Sequence, residues 1–404
     1  MNNNLQSLII QLESSISPNP KNNMKRVSKA IKHFDIDFTN TKKIHVAGTN
    51  GKGSVSKYLT QILTDSGFKV GTFVSPYLKV FNERILLNNQ LITDEDLEKY
   101  LKIVLDYNKK LEENMSFFEL LTVLSFLYFY NQEVDVIIIE VGIGGKLDVT
   151  NTINYDLSVL TNVGTDHIDK LGPTASDVLS NKLGILKEGG LMITTLQEEY
   201  RLEAIKYSKS INATIKFVDK PLKLSNNPLS FYLFGEEFKL KMLGDFQLSN
   251  AALAITAAKR LFPSLKLADI NKSISNVYWP GRLDLVKKDP TIYVDAAHNK
   301  EAAIALVEAI KSLYEGNKIV FLMSILRGKD YNGFINELSK VASEIILTDF
   351  PDPRLADLEL ISKEFEKTHY IKDFNEAVSN LKDPDTIYVV TGSIHFISYF
   401  LNNY

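Results

Sequence analysis

Cysteine is absent from the chain, which excludes a disulfide framework, a cysteine-based zinc site and thiol catalysis. An excess of charge of one sign is missing too. Forty-six Lys and Arg stand against 49 Asp and Glu, a net charge of −3, and there is no basic tract. That balance gives no reason to expect a nucleic-acid partner. Long apolar runs are lacking: the most apolar stretch, 117–130, is too short to span a bilayer and is interrupted by Glu119, Thr122 and Ser125. The opening, Met1 followed by three asparagines, does not read as a secretory signal. No internal repeat or low-complexity tract occurs. A cytoplasmic, monomeric enzyme with no membrane or nucleic-acid partner is the expectation, and 404 residues suit two or three domains rather than one core.

Apolar runs at 43–47, 69–74, 134–140, 157–162 and 191–195 alternate with longer stretches of helical period. That pattern predicts a parallel sheet with helices on both faces. Residues 136–139 are apolar throughout, as in a central strand covered on both sides. From 221 to 243 the pattern alternates around Phe234-Gly235-Glu236-Glu237 and predicts β-hairpins added to the first domain. Asn276-Val277-Tyr278-Trp279-Pro280-Gly281 carries the breakers of a hinge. A second α/β series follows, with strands expected at 291–294, 318–323, 344–348 and 386–390. The expected domains are 1–279 and 280–404.

The stretch Ile44-His45-Val46-Ala47-Gly48-Thr49-Asn50-Gly51-Lys52-Gly53-Ser54 carries the most chemistry. An apolar strand breaks into glycines, a lysine and a hydroxyl, and Val55, Tyr58, Leu59, Ile62 and Leu63 then run at helical spacing. Glycines at 48, 51 and 53 let the backbone turn tightly and aim N–H groups at phosphate, where the helix dipole favours an anion. Lys52 is placed to reach the outer phosphates and Ser54 to meet magnesium. A glycine turn that happens to hold a lysine is the bland alternative. The general pattern puts Ser or Thr directly after Lys, and here Gly53 intervenes.

Gly-Thr-Asn-Gly-Lys-Gly-Ser resembles the nucleotide loop of the folylpolyglutamate and dihydrofolate synthases, a branch of the Mur ligase superfamily. Further segments are similar to that family in the same chain order: Ser75-Pro76-Tyr77-Leu78 with Glu83-Arg84-Ile85, Ser116-Phe117-Phe118-Glu119, and Glu140 to Asn151. Thr161 to His167, Trp279 to Leu283 and Asp295 to Asn299 continue the series. The resemblance implies a P-loop-type parallel-sheet domain and a smaller Rossmann-like C-terminal α/β domain. It also implies an ATP-dependent ligase that joins L-glutamate to the carboxylate of dihydropteroate or a folate through an acyl phosphate. A cell-wall Mur ligase and a P-loop nucleotide switch are the rival readings.

Making and breaking an acyl phosphate moves negative charge, which calls for magnesium and cations. Ser54, Ser75, Glu140 and His167, in the loop and past strand ends, are the expected ligands of two magnesium ions. Glu140 alternatively faces solvent. Magnesium prefers oxygen, so His167 enters on the resemblance and by itself reads as a hydrogen-bonded structural histidine. Lys182 lies in Asn181-Lys182-Leu183-Gly184-Ile185-Leu186-Lys187, similar to a family segment whose first lysine is carbamylated and holds the second ion. By sequence alone it is a lysine at the start of a turn. Lys52, His167 and Lys182 are the residues expected to serve catalysis.

The resemblance further places Asn50, Gly51, Lys52, Gly53, Ser54, Asn250, Arg282, Asp295 and His298 on the nucleotide. A helix cap, a hinge salt bridge and a turn residue are the plainer readings of Asn250, Arg282 and Asp295. For the pterin substrate it implies Ser116, Phe117, Phe118, Glu119, Leu147, Asp148 and Val149, although Phe117 and Phe118 equally fit a core. Lys25 and Arg26 meet an anionic substrate or form a solvated face. The sequence leaves dependence on a monovalent cation open.

Overall fold

The computed structural model describes residues 3–166 and 168–404; the expected role of His167 lies outside the described residues. The chain groups into two compact units, Met1–Lys220 with Asn250–Ser273 and Pro221–Ser249 with Ile274–Tyr404.

The first unit is built on eight strands: β1 (Lys42–Ala47), β2 (Val70–Phe73), β3 (Ile85–Leu87), β4 (Gln90–Leu91), β5 (Val136–Glu140), β6 (Leu157–Leu160), β7 (Leu191–Thr194) and β8 (Thr214–Phe217). Their order is β4-β3-β2-β5-β1-β6-β7-β8. The six strands from β2 to β8 run parallel, and β3 and β4 add an antiparallel edge. Helices cover both faces, as the alternating pattern predicted. One core cluster joins Phe73, Ile137 and Ile139 to the helices Asn3–Glu13, Asn23–His33, Asp94–Asn108 and Phe117–Asn131. Another sets Leu160 and Met192 against Val178, Leu179, Leu183 and Ala204. Ile137, Ile138 and Ile139 are fully buried, which is why their segment lacks any polar alternation.

The register pairs Val46 with Glu140 and Ala47 with Leu160. The carboxyl ends of β5, β1 and β6 therefore lie side by side, with β2 next to β5. The loops that leave them share one edge of the sheet, where ligands of open α/β sheets bind.

The second unit holds a three-stranded antiparallel sheet of β9 (Leu222–Asn226), β10 (Leu229–Leu233) and β11 (Glu236–Leu240). Phe234 and Gly235 turn the hairpin with φ of 52° and 87°, the left-handed pair that a two-residue hairpin turn requires. The alternating pattern thus predicted the pairing correctly, but these strands group with the second unit and not the first. Lys223 Nζ donates to Asp245 at 2.6 Å, and Ser312 Oγ donates to Asn226 at 3.2 Å. Periodicity reports which face of a strand is apolar, not which body covers it. The six remaining strands, β12 (Asp284–Lys288), β13 (Thr291–Val294), β14 (Lys318–Met323), β15 (Glu344–Leu347), β16 (Thr368–Tyr370) and β17 (Thr386–Thr391), form one sheet ordered β12-β13-β17-β14-β15-β16. All its pairings are parallel except β12 with β13. Among the described residues no helix is long and apolar enough to cross a membrane.

Candidate functional site

The loop after β1 is strapped to the end of β6. Asn50 N–H donates to Asn162 Oδ1 at 2.9 Å, Thr49 N–H to Asn162 O at 3.1 Å, and Thr161 Oγ1 to Asn50 O at 2.6 Å. Gly164 N–H closes on Thr49 Oγ1 at 2.9 Å. Two glycines are dictated by this packing. At Gly48, φ is +150° and a Cβ would lie 1.7 Å from Thr161 Oγ1; at Gly51, φ is +85° and a Cβ would lie 2.5 Å from Asn250 Oδ1. Gly51 caps the helix Lys52–Asp65, so the loop ends on a helix N-terminus. Lys52 Nζ donates to Gly48 O and Thr49 O, and Ser54 is buried in the first turn. Asn250 lies inside the helix Phe246–Leu261, so it does not cap it.

Glu140 ends β5 and is buried, which removes the reading of a solvent-facing carboxylate. Ser75 follows β2, and its Oγ accepts from Arg84 Nη1 at 2.9 Å. Sequence reasoning assigned Arg84 no function. Its guanidinium is 7% exposed and lies against the rings of Tyr77, Phe81 and Phe117, 4.9, 5.5 and 5.3 Å from their centroids. Nε is buried without a hydrogen-bond partner among the described residues. Burial pulls its pKa down to about 10. A buried cation set in aromatic rings without a carboxylate bonded to it is suited to an anion. Only its place beside Ser75 in the fold makes it visible.

Lys182 sits in the last turn of the helix Ala175–Leu183 and is 4% exposed, where the sequence suggested the start of a turn. Burial, helped by the nearby charge of Lys52 and opposed by Asp166, lowers its pKa to about 7. The loop after β5 packs on the same helix: Lys146 N–H donates to Asn181 O at 2.8 Å. An amine whose pKa lies near 7 is partly neutral at that pH, and the neutral form is nucleophilic. Among the described residues no group of three His, Asp or Glu side chains is placed to hold a metal. Of the ligands expected from the sequence, the described residues hold the Ser54 and Ser75 hydroxyls, the Glu140 carboxylate and the Lys182 amine, all but Ser75 buried.

The residues expected at the pterin divide. Leu147 is 67% exposed, whereas Val149 belongs to the core. Phe117 and Phe118 are half-buried against the core, and Phe118 touches the backbone at Gly142. Glu119 is 1% exposed, accepts from Ser116 N–H and Oγ as a helix capping box, and pairs with Arg26. Arg26 also donates to Glu113, Ser17 and Asn19 O, so it is neither a solvated face nor an open substrate cation. Asp148 is buried and accepts from Ile143 N–H, Thr150 N–H and Thr150 Oγ1; burial pushes its carboxyl up.

In the second unit, Asp295 accepts Leu283 N–H at 2.7 Å and Ala297 N–H at 2.9 Å. Burial raises its pKa, while Arg282 and these N–H groups oppose the rise. Asp295 thus shapes the loop that follows β13. Arg282 Nη1 donates to Gly281 O at 3.1 Å. His298 Nδ1 bonds Ala296 O at 2.8 Å, which makes Nδ1 the protonated nitrogen in a neutral ring and leaves Nε2 an acceptor.

The chain matches the Mur ligase middle domain over residues 46–258 and the Mur ligase glutamate ligase domain over 281–394. It is 31% identical over 379 residues to the dihydrofolate synthase/folylpolyglutamate synthase of Bacillus subtilis, covering 88% of each chain. It is also 31% identical over 380 residues to the folylpolyglutamate synthase of Lacticaseibacillus casei, again covering 88% of each. Among solved structures, the folylpolyglutamate synthase of Mycobacterium tuberculosis complexed with ADP and AMPPCP superposes with a TM-score of 0.89 at 25% identity, covering 99% of this chain and 98% of that one. The Thermotoga maritima folylpolyglutamate synthase superposes with a TM-score of 0.83 at 28% identity, covering 98% and 96%. A strapped glycine loop on a parallel sheet, followed by a matched glutamate ligase domain, places this chain in the folylpolyglutamate synthase/dihydrofolate synthase family of the Mur ligases.

Proposed function

We infer that the chain is an ATP-dependent ligase that adds L-glutamate to the carboxylate of dihydropteroate, of a folyl-polyglutamate, or of both, through an acyl phosphate. The observation that carries this reading is the 48–54 loop, tied to Thr161 and Asn162 at the sheet edge, with buried Lys182 beside Lys52.

The loop suits the phosphates of ATP, because a Cβ at Gly48 or Gly51 would destroy its path. Backbone N–H groups at the helix start and the Lys52 ammonium bind the phosphates. Arg282 and His298 are the second unit's candidates for nucleotide contact, on two segments that Asp295 ties together through Leu283 N–H and Ala297 N–H. The Ser54 and Ser75 hydroxyls and the Glu140 carboxylate are hard oxygen donors that suit magnesium. One carboxylate is few for two dications, and a carbamate on Lys182 would replace a cation with two oxygens. When bound, magnesium offsets the charge that develops on the transferred phosphoryl group. Arg84 holds a substrate carboxylate, and Leu147 with Phe118 borders the pterin.

Phosphate release from ATP with magnesium and L-glutamate tests the reading, with dihydropteroate, tetrahydrofolate or no acceptor, and with product masses recorded. One added glutamyl unit on both acceptors identifies a bifunctional synthase; on tetrahydrofolate alone, a tail-extending enzyme. Acceptor-independent release, or none, overturns the folate reading.

A further inference from the structure

His45 lies in the middle of β1, fully buried, three residues before the phosphate loop. Strand alternation puts its side chain on the face of the sheet opposite to Ile44 and Val46. Its ring stacks on Tyr155, centroids 4.0 Å apart and planes 12° from parallel, and Nε2 lies 2.8 Å from Thr150 Oγ1. Thr150 Oγ1 lies 2.6 Å from Asp148 Oδ1. Asp148 Oδ2 takes Ile143 N–H at 3.0 Å, and Tyr155 Oη donates to Thr150 O at 2.6 Å.

Hydrogen positions along this chain follow from donor counting. A hydroxyl has one hydrogen. Asp148 Oδ1 already accepts Thr150 N–H, and a carboxylate accepts only, so the Thr150 hydroxyl hydrogen points to Asp148. Towards His45 the same oxygen is therefore an acceptor, and Nε2 carries the imidazole hydrogen. Nδ1 then carries no hydrogen and needs no acceptor, in keeping with its buried, unbonded state. Burial, with the charge of Lys187 adding to it, pulls the histidine pKa down to about 3. The ring is a fixed neutral donor.

We propose that His45 is a positioning residue of the acceptor site: its Nε2–H orients the Thr150 hydroxyl onto Asp148, which holds Ile143 N–H and so sets the shape of loop 142–148. That loop runs from Gly142, wedged between Phe118 and Asp148, to the exposed Leu147. The proposal rests on the reading above that this loop borders the pterin. It makes a prediction a purely structural role does not. Damage to β1 should spread first to the phosphate loop that continues it, whereas loss of orientation at Thr150 should be felt at the acceptor.

The test compares Thr150→Val, which removes the hydroxyl at constant volume, with Thr150→Ser, which keeps it, and His45→Phe, which keeps the stack but not the donor. For Thr150→Val and His45→Phe the KM for the acceptor that the wild type uses, dihydropteroate or tetrahydrofolate, should rise about tenfold, with the KM for ATP and ADP affinity unchanged. Thr150→Ser should restore the wild-type value, and the double variant should be no worse than Thr150→Val. Equal losses at ATP and acceptor, or additive losses in the double variant, overturn the proposal. Leu147→Ser separates the two levels of inference. If it leaves the acceptor KM unchanged, the reading of the loop fails; if it raises that KM while Thr150→Val does not, the positioning role fails. The imidazole 15N shifts of His45 in the folded protein, which need no turnover, should report a neutral Nε2–H ring at pH 6–8. A protonated or Nδ1–H ring overturns the assignment.

Discussion

Arg26 and Glu119 form a buried two-point ion pair between the helices Asn23–His33 and Phe117–Asn131, with Nε to Oε1 at 2.8 Å and Nη2 to Oε2 at 3.1 Å. Both side chains had a functional reading from sequence, and both are occupied with each other. The pairing raises the Arg26 pKa against the opposing effect of its burial. Glu119→Ala strips Arg26 of its main partner and removes the capping box. The expected loss is about 3–5 kcal/mol of stability in urea unfolding. Glu119→Gln with unchanged stability and a raised acceptor KM would instead return Glu119 to the substrate site.

Gly48→Ala should damage nucleotide use more than the fold. Its Cβ would meet Thr161 Oγ1, the atom that ties down Asn50, and its φ of +150° is strained for alanine. The strain is about 1–3 kcal/mol. Weakened ADP binding in a protein that still melts cooperatively is the expected calorimetric result. Unchanged ADP affinity would show that the strap is dispensable.

Lys182 carries two pH effects. Its folded pKa of about 7 lies below the 10.5 of the ordinary amine, so between those values the unfolded chain binds more protons. Stability therefore rises with pH across that window, and the cost of burying the ammonium is full below about 7. In CO2-depleted buffer Lys182→Met should melt higher than wild type at pH 6, with the advantage gone near pH 10. Carbamate formation needs the neutral amine, so activity should fall as pH drops below about 7 and rise with added bicarbonate. Absence of a 13C carbamate signal after labelling with 13C-bicarbonate would refute the modification.

Arg84→Met preserves the apolar volume between Tyr77, Phe81 and Phe117 and removes the charge. Because burying that guanidinium costs free energy, the variant should be at least as stable as wild type. It should also lose about tenfold or more in kcat/KM for a carboxylate substrate, since a charge-assisted bond is lost. A destabilised variant with normal kinetics would make Arg84 structural.

Much of the first unit was legible because central parallel strands leave strong marks: β5 is apolar on both faces, and β1 ends in glycines. The short strands β3, β4, β12 and β16, at or next to the sheet edges, were not, since a strand of two to five residues has little periodicity to show. Among the candidate site residues, the glycine-loop motif pointed to Lys52 and Ser54, and the strand end with the family resemblance to Glu140. Arg84, His45 and the Arg26–Glu119 pair are held by side-chain hydrogen bonds to Ser75, to Thr150 and within the pair, over 9, 105 and 93 residues of chain.

Local sequence by itself determined the strand and helix types, the glycine loop and its family, because backbone φ, side-chain period and motif spacing are short-range properties. Tertiary structure alone decided that 221–249 joins the second unit, that Lys182 is buried beside Lys52, and that Asp148 and Asp295 hold backbone N–H groups. Burial and the company of other charges set the protonation and availability of a side chain. Both arise only when distant segments pack.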